Sequence, residues 1–136
     1  MISILIMAAA ASAPTATGDF DGDGRGDTAV IIPKVDGTRE AFVTFADGQR
    51  GFVTRVEGEA NLASVSPDRI AALCEPLKRY MPDCTRGLGS RDREGLWIEL
   101  ISTPARQLAL WNGSAFRVVT GLWPKNAASS PTSVRK

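Results

Sequence analysis

The chain predicts a mainly β fold, a small antiparallel β-sandwich or bent sheet of about six strands with one short helix and an Asp-rich loop near the N-terminus. Asx-Gly dipeptides at Asp36-Gly37, Asp47-Gly48 and Asn112-Gly113 separate runs rich in β-branched and aromatic residues, and such dipeptides are strong hairpin signals. Apolar side chains alternate along the runs, as at Ala41, Val43 and Phe45, the period of a strand buried on one face. One segment, beginning at Ser66-Pro67, carries the start and stop signals of a helix.

Residues 1–17 read as a secretory leader rather than as fold. Ile2 to Met7 form a short apolar core, small residues follow from Ala8 to Ala13, and no charged side chain precedes Asp19. That is the order of a signal peptide, and the run is too short to span a bilayer. A periplasmic or secreted location is therefore expected, with no membrane span. Residues 18–125 form the expected single β domain. Residues 126–136, rich in Ala, Ser, Pro and Thr and without an apolar period, read as a flexible tail.

The strongest chemical signal follows the leader. Gly18-Asp19-Phe20-Asp21-Gly22-Asp23-Gly24-Arg25-Gly26-Asp27 places carboxylates at loop positions 1, 3, 5 and 9. Alternate side chains of a tightly wound loop point toward one centre, and calcium takes six to eight hard oxygen ligands at about 2.3–2.6 Å. Asp19, Asp21, Asp23 and Asp27 are the expected side-chain ligands, and the main-chain carbonyl of Arg25 fills position 7. Gly24 at position 6 permits the sharp turn. The plainer alternative is an acidic surface turn, since Asp and Gly are ordinary turn residues. Scattered turn acids have no reason to share this spacing, and without a cation they repel by about 1 kcal/mol or more per close pair. Magnesium, which demands a smaller octahedral cage, fits less well.

An EF-hand needs a bidentate Glu at position 12, but that position is Val30, within a β-branched stretch that reads as a strand. From Gly18 to Val30 the chain instead resembles the FG-GAP or VCBS-type repeat: Gly-Asp-Phe-Asp-Gly-Asp-Gly, two further residues, Asp and an apolar strand. The resemblance implies a calcium loop between strands of a β-propeller blade, with ligand roles at Asp19, Asp21, Asp23, Arg25 through its main chain, and Asp27. No second such loop occurs in the 136 residues, whereas a propeller needs at least four four-stranded blades. The expectation is a stand-alone β domain, or one that completes itself by association.

After the loop, residues 28–35, 38–45 and 49–56 read as strands joined by two-residue type I′ turns, with Pro33 marking the first as an edge or distorted strand. Leu96, Ile98 and Leu100 mark a fourth strand, residues 106–111 and 114–120 a third hairpin, and Leu108 with Leu110 the buried stripe of its first arm. The turn explains Asn112-Gly113-Ser114 as well as its match to a glycosylation sequon does. Trp111 to Phe116 is similar to the arrangement in small exported bacterial proteins that begin with an FG-GAP-like Asp loop. That resemblance implies a fold and a compartment, and no activity.

Between the hairpins, Ser66 can cap a helix, Pro67 is tolerated at its first position, Asp68 favours its positive end, and Pro76 ends or kinks it near Glu75. Cys74 and Cys84 are the only cysteines. An oxidising compartment would pair them, closing a short loop for about 3 kcal/mol. Lys78, Arg79, Arg86, Arg91 and Arg93 then make a locally basic loop, either solvated or facing an acidic partner.

Composition narrows function mainly by exclusion. A net charge of +1 argues against electrostatic capture of nucleic acid. No His is present, which removes the commonest general base, and the remaining acids show no pairing, so catalysis is not expected. The expected function is an exported calcium-binding β domain, its calcium structural, acting as a protein-binding or adhesion-type module in the envelope or outside the cell. The alternatives are an envelope inhibitor or immunity protein, or a carbohydrate-binding module in which Trp97, Trp111 and Trp123 stack on sugar.

Overall fold

A computed structural model describes residues 15–77, 79, 93–121 and 123. The chain forms β1 (Thr15–Gly18), β2 (Asp27–Pro33), β3 (Arg39–Thr44), β4 (Arg50–Val56) and β5 (Ala60–Val65), then helix α1 (Pro67–Cys74) with a 3₁₀ turn (Glu75–Leu77), and then β6 (Gly95–Leu100), β7 (Arg106–Trp111) and β8 (Phe116–Gly121). Two antiparallel sheets result, ordered β1-β2-β3-β4 and β5-β6-β7-β8. Each is a meander of sequential neighbours, and they pack face to face as a small sandwich of eight strands rather than six.

The two additional strands have weak sequence signals for different reasons. β5, Ala-Asn-Leu-Ala-Ser-Val, has a single β-branched residue, Val65, among mostly small and polar ones, and its pairing with β6 from Ala60↔Leu100 to Val65↔Gly95 holds it in the sheet. β1 lies partly within the residues read as leader. Thr15, Ala16 and Thr17 pair with Val30, Ala29 and Thr28, so the fold includes Thr15, three residues before the expected domain boundary. The rest of the leader, most of the basic loop and the tail lie outside the described residues.

β1 also corrects the reading of Pro33. β2 is an interior strand, but among the described residues β1 pairs with it only as far as Val30, and Pro33 ends β2 opposite Arg39 of β3. A proline without an N–H is tolerated there.

The turns differ from the expected type. Gly37 N–H donates to the Lys34 carbonyl (3.0 Å) and Lys34 N–H to Thr38 (2.7 Å); Phe45, Gly48 and Gln49 repeat the pattern at 2.8 Å each. These are three-residue loops, a type I turn closed by a left-handed glycine, rather than two-residue type I′ turns. The Asx side chain selects them: Asp36 Oδ1 accepts Thr38 N–H (3.0 Å) and Asp47 Oδ1 accepts Gln49 N–H (2.9 Å), each fixing the chain two residues on. Asn112 Oδ1 similarly accepts the N–H groups of Ser114 and Ala115, both at 2.9 Å.

Ala29, Ala41, Val43, Phe45 and Val53 of the first sheet meet Leu96, Ile98, Leu100 and Ala109 of the second in the main core. A second core lies behind the second sheet, where Ile70 and Leu73 of α1 cover Trp97, Leu108, Leu110 and Val119. Leu108 and Leu110 thus point to the helix, and Ala109 on the same strand points to the first sheet. Strands β6 and β7 are buried on both faces, not one. Ser66 caps α1 by accepting Arg69 N–H at 3.2 Å, and Trp123 Nε1 donates to the Leu73 carbonyl at 2.9 Å, satisfying a helix-end acceptor.

Candidate functional site

The Asp loop joins β1 to β2, and its flanking residues Gly18 and Asp27 are cross-strand partners. The loop is therefore closed at its base by the sheet. Asp27 opens β2 and is only 1% exposed. A carboxylate survives such burial only with donors around it. Oδ2 accepts the N–H groups of Phe20 (2.9 Å) and Asp21 (3.4 Å), and Oδ1 accepts that of Ala46 (2.9 Å) in the β3–β4 turn. The buried Phe20 side chain anchors the same segment in the main core.

Asp19 winds the loop tip around itself. Its Oδ1 accepts Asp23 N–H at 3.0 Å and its Oδ2 accepts Gly24 N–H at 2.8 Å. Gly22 lies at φ 76°, and a Cβ there would sit 3.2 Å from the Arg93 side chain; backbone conformation and space both require glycine. The result is that one carboxylate oxygen from each of Asp19, Asp21 and Asp27 lies within 4.8 Å of the others. This cluster could hold a metal ion, and an all-carboxylate donor set suits a hard cation.

Of the expected ligands, the structure brings together Asp19, Asp21 and Asp27. Asp23 stands outside this trio but beside it: its carboxyl hydrogen-bonds that of Asp21, while its Oδ1 accepts Arg25 N–H at 2.8 Å and its Oδ2 pairs with Arg25 Nε at 3.3 Å. The guanidinium of Arg25 faces outward, as expected from its loop position. Burial pushes the Asp21 carboxyl up to about 6; the Asp23 N–H it accepts works against this, and the nearby Asp27 and Asp23 charges add to it. Asp23 is held below the usual carboxylate range, chiefly by the Arg25 N–H.

Two residues at this site have no local sequence signal. Glu94 N–H donates to the Asp19 carbonyl at 2.9 Å, and Arg93 Nη1 donates to the Trp111 carbonyl at 2.6 Å. The sequence places Arg93 in a basic loop; in the structure it is half-buried and ties the β5–β6 connection to the loop and to β7. Cys84 lies outside the described residues, and with it the Cys74–Cys84 pairing; Cys74 is buried at the end of α1.

Beside the cluster the Asp loop, the β3–β4 turn and the β7–β8 turn enclose a half-open cleft of about 670 Å³, whose lining includes Asp21, Asp47, Gln49, Phe52, Trp111 and Ser114. The three tryptophans separate here. Trp97 and Trp123 are buried in the helix-side core with ring centroids 5.4 Å apart, whereas half-buried Trp111 packs on Phe45 (4.8 Å) and Phe116 (5.0 Å) and borders the cleft. No helix among the described residues is long and apolar enough to cross a membrane. No protein-family model, curated protein or solved structure matches the chain.

Proposed function

We propose that this protein is an exported calcium-binding β domain, its calcium structural, that acts as a protein-binding or adhesion-type module. The observation that carries the reading is the convergence of Asp19, Asp21 and Asp27 at a loop fastened to both sheets, through Ala46 on one and Glu94 on the other. Three carboxylates this close repel by about 1 kcal/mol per pair in water and several times that at lower effective dielectric. A bound cation reverses the sign of that term and clamps the junction it lies on. Calcium suits the exposed, irregular loop better than magnesium, and extracellular modules bind it at roughly 10⁻⁴ to 10⁻³ M, available only outside the cytoplasm.

The test is thermal unfolding of the mature, oxidised protein in chelator, in calcium near 1 mM and in magnesium. Calcium should raise Tm by several degrees and magnesium by less. Asp21→Ala should abolish the rise, and Asp23→Ala, which removes a carboxyl in hydrogen-bond contact with Asp21, should reduce it. No calcium-specific rise would sink the reading.

A further inference from the structure

We propose that the cleft beside the Asp loop is the module's ligand site and that its occupant is an uncharged oligosaccharide. The proposal narrows the reading above to its adhesion-type form, with a saccharide in place of a protein as ligand, and rests on it for the cation-held wall at Asp21. The volume of about 670 Å³ lies within the range of small-ligand sites. The lining is what a sugar ring needs. Trp111 offers an aromatic surface to the C–H face of a pyranose, and the carboxylate of Asp47, the amide of Gln49 and the hydroxyl of Ser114 ring it with acceptors and donors for hydroxyl groups.

A peptide is disfavoured on two counts. Adding a strand needs an open sheet edge, but β4 lies against β8 at this end, where a Cβ on Gly51 would meet Phe45 at 3.2 Å and Phe116 at 3.4 Å. A peptide anchor needs a desolvated apolar pocket, and the cleft is half-open with a polar rim. Arg50 also lines the cleft, its guanidinium 4.7 Å over the Phe42 ring, but the carboxylates of Asp21 and Asp47 share that lining, so the cleft has no excess of positive charge to select an acidic ligand.

The cleft also supplies its own reporter. Trp97 and Trp123 are buried on the far side of the second sheet, so a ligand-induced fluorescence change comes from Trp111. The experiment titrates the full mature chain in 1 mM calcium with tri- and tetrasaccharides of glucose, mannose, galactose and N-acetylglucosamine, following tryptophan emission, with a peptide library in parallel. A saturable change for at least one saccharide is expected. It should weaken about 3- to 10-fold in each of Gln49→Ala and Ser114→Ala, exposed positions that leave the fold intact, and also in Trp111→Phe, where binding is followed by calorimetry because that variant lacks the reporter. A protein that shows the calcium-dependent Tm rise but binds no saccharide, or binds a peptide here instead, overturns the cleft assignment and leaves the calcium reading standing. Saccharide binding that survives chelation, with no calcium-dependent Tm rise, overturns the calcium reading and the role of Asp21 as a cation-held wall. Binding unaffected by all three substitutions overturns the proposal.

Discussion

At the scale of single residues, Asp27 and Asp21 divide two tasks that their spacing in the sequence does not distinguish. Asp27 accepts three backbone N–H groups in a buried setting and is as much a brace as a ligand. Asp21 accepts only a weak backbone contact, from Asp23 N–H at 3.3 Å, and its carboxyl is pushed up to about 6 from 3.8, first by burial, with a side-chain hydrogen bond to Asp23 adding to the rise. A raised carboxylate pKa stabilises the metal-free fold below the unfolded value, and that contribution is lost as pH rises through about 6. The cation needs the opposite state, because it competes with the proton for Asp21. Calcium affinity should be nearly flat above pH 7 and fall by up to about tenfold per unit below about pH 6, as calorimetric titration at pH 5, 6 and 7.5 would register. Equal affinity at all three would mean that Asp21 is not a ligand.

At the scale of elements, local chemistry decides where chains turn and helices start. Asp36, Asp47 and Asn112 each bond the backbone two residues on, so hairpin positions were legible. Turn type was not, because a glycine after Asx serves either a two-residue or a three-residue loop, and cross-strand register chooses between them. Helix α1 is legible at both ends. Ser66→Ala should cost about 1 kcal/mol in urea unfolding with an unchanged slope; no loss would mean that the cap is redundant beside Pro67 and the packing of Ile70. β5 was illegible, since Val65 is its one strand-favouring residue and the small and polar residues before it ask for no strand until β6 is beside them.

At the scale of the whole molecule, two cores share one sheet. β6 and β7 lie between the first sheet and α1, so their alternation marks two different interfaces rather than a buried and a solvent face. Ile98, fully buried between the sheets, should cost about 2–5 kcal/mol as Ile98→Ala. The same substitution should weaken calcium binding only slightly, because the loop is braced by its own hydrogen bonds. A large loss of calcium affinity in the still-folded variant would show that sheet packing, rather than local winding, positions the Asp cluster.

By itself the sequence determined the β class, the three hairpin positions, the capped helix and the Asp loop with its acid spacing, because each rests on interactions between residues a few positions apart. Tertiary structure alone decided that β1 begins within the expected leader. It also decided that Trp97 and Trp123 are buried while Trp111 lines a cleft, and that Glu94 and Arg93 close over the loop from more than sixty residues away. Those outcomes depend on which faces two meanders bring together, and no local pattern encodes the pairing of surfaces so far apart in the chain.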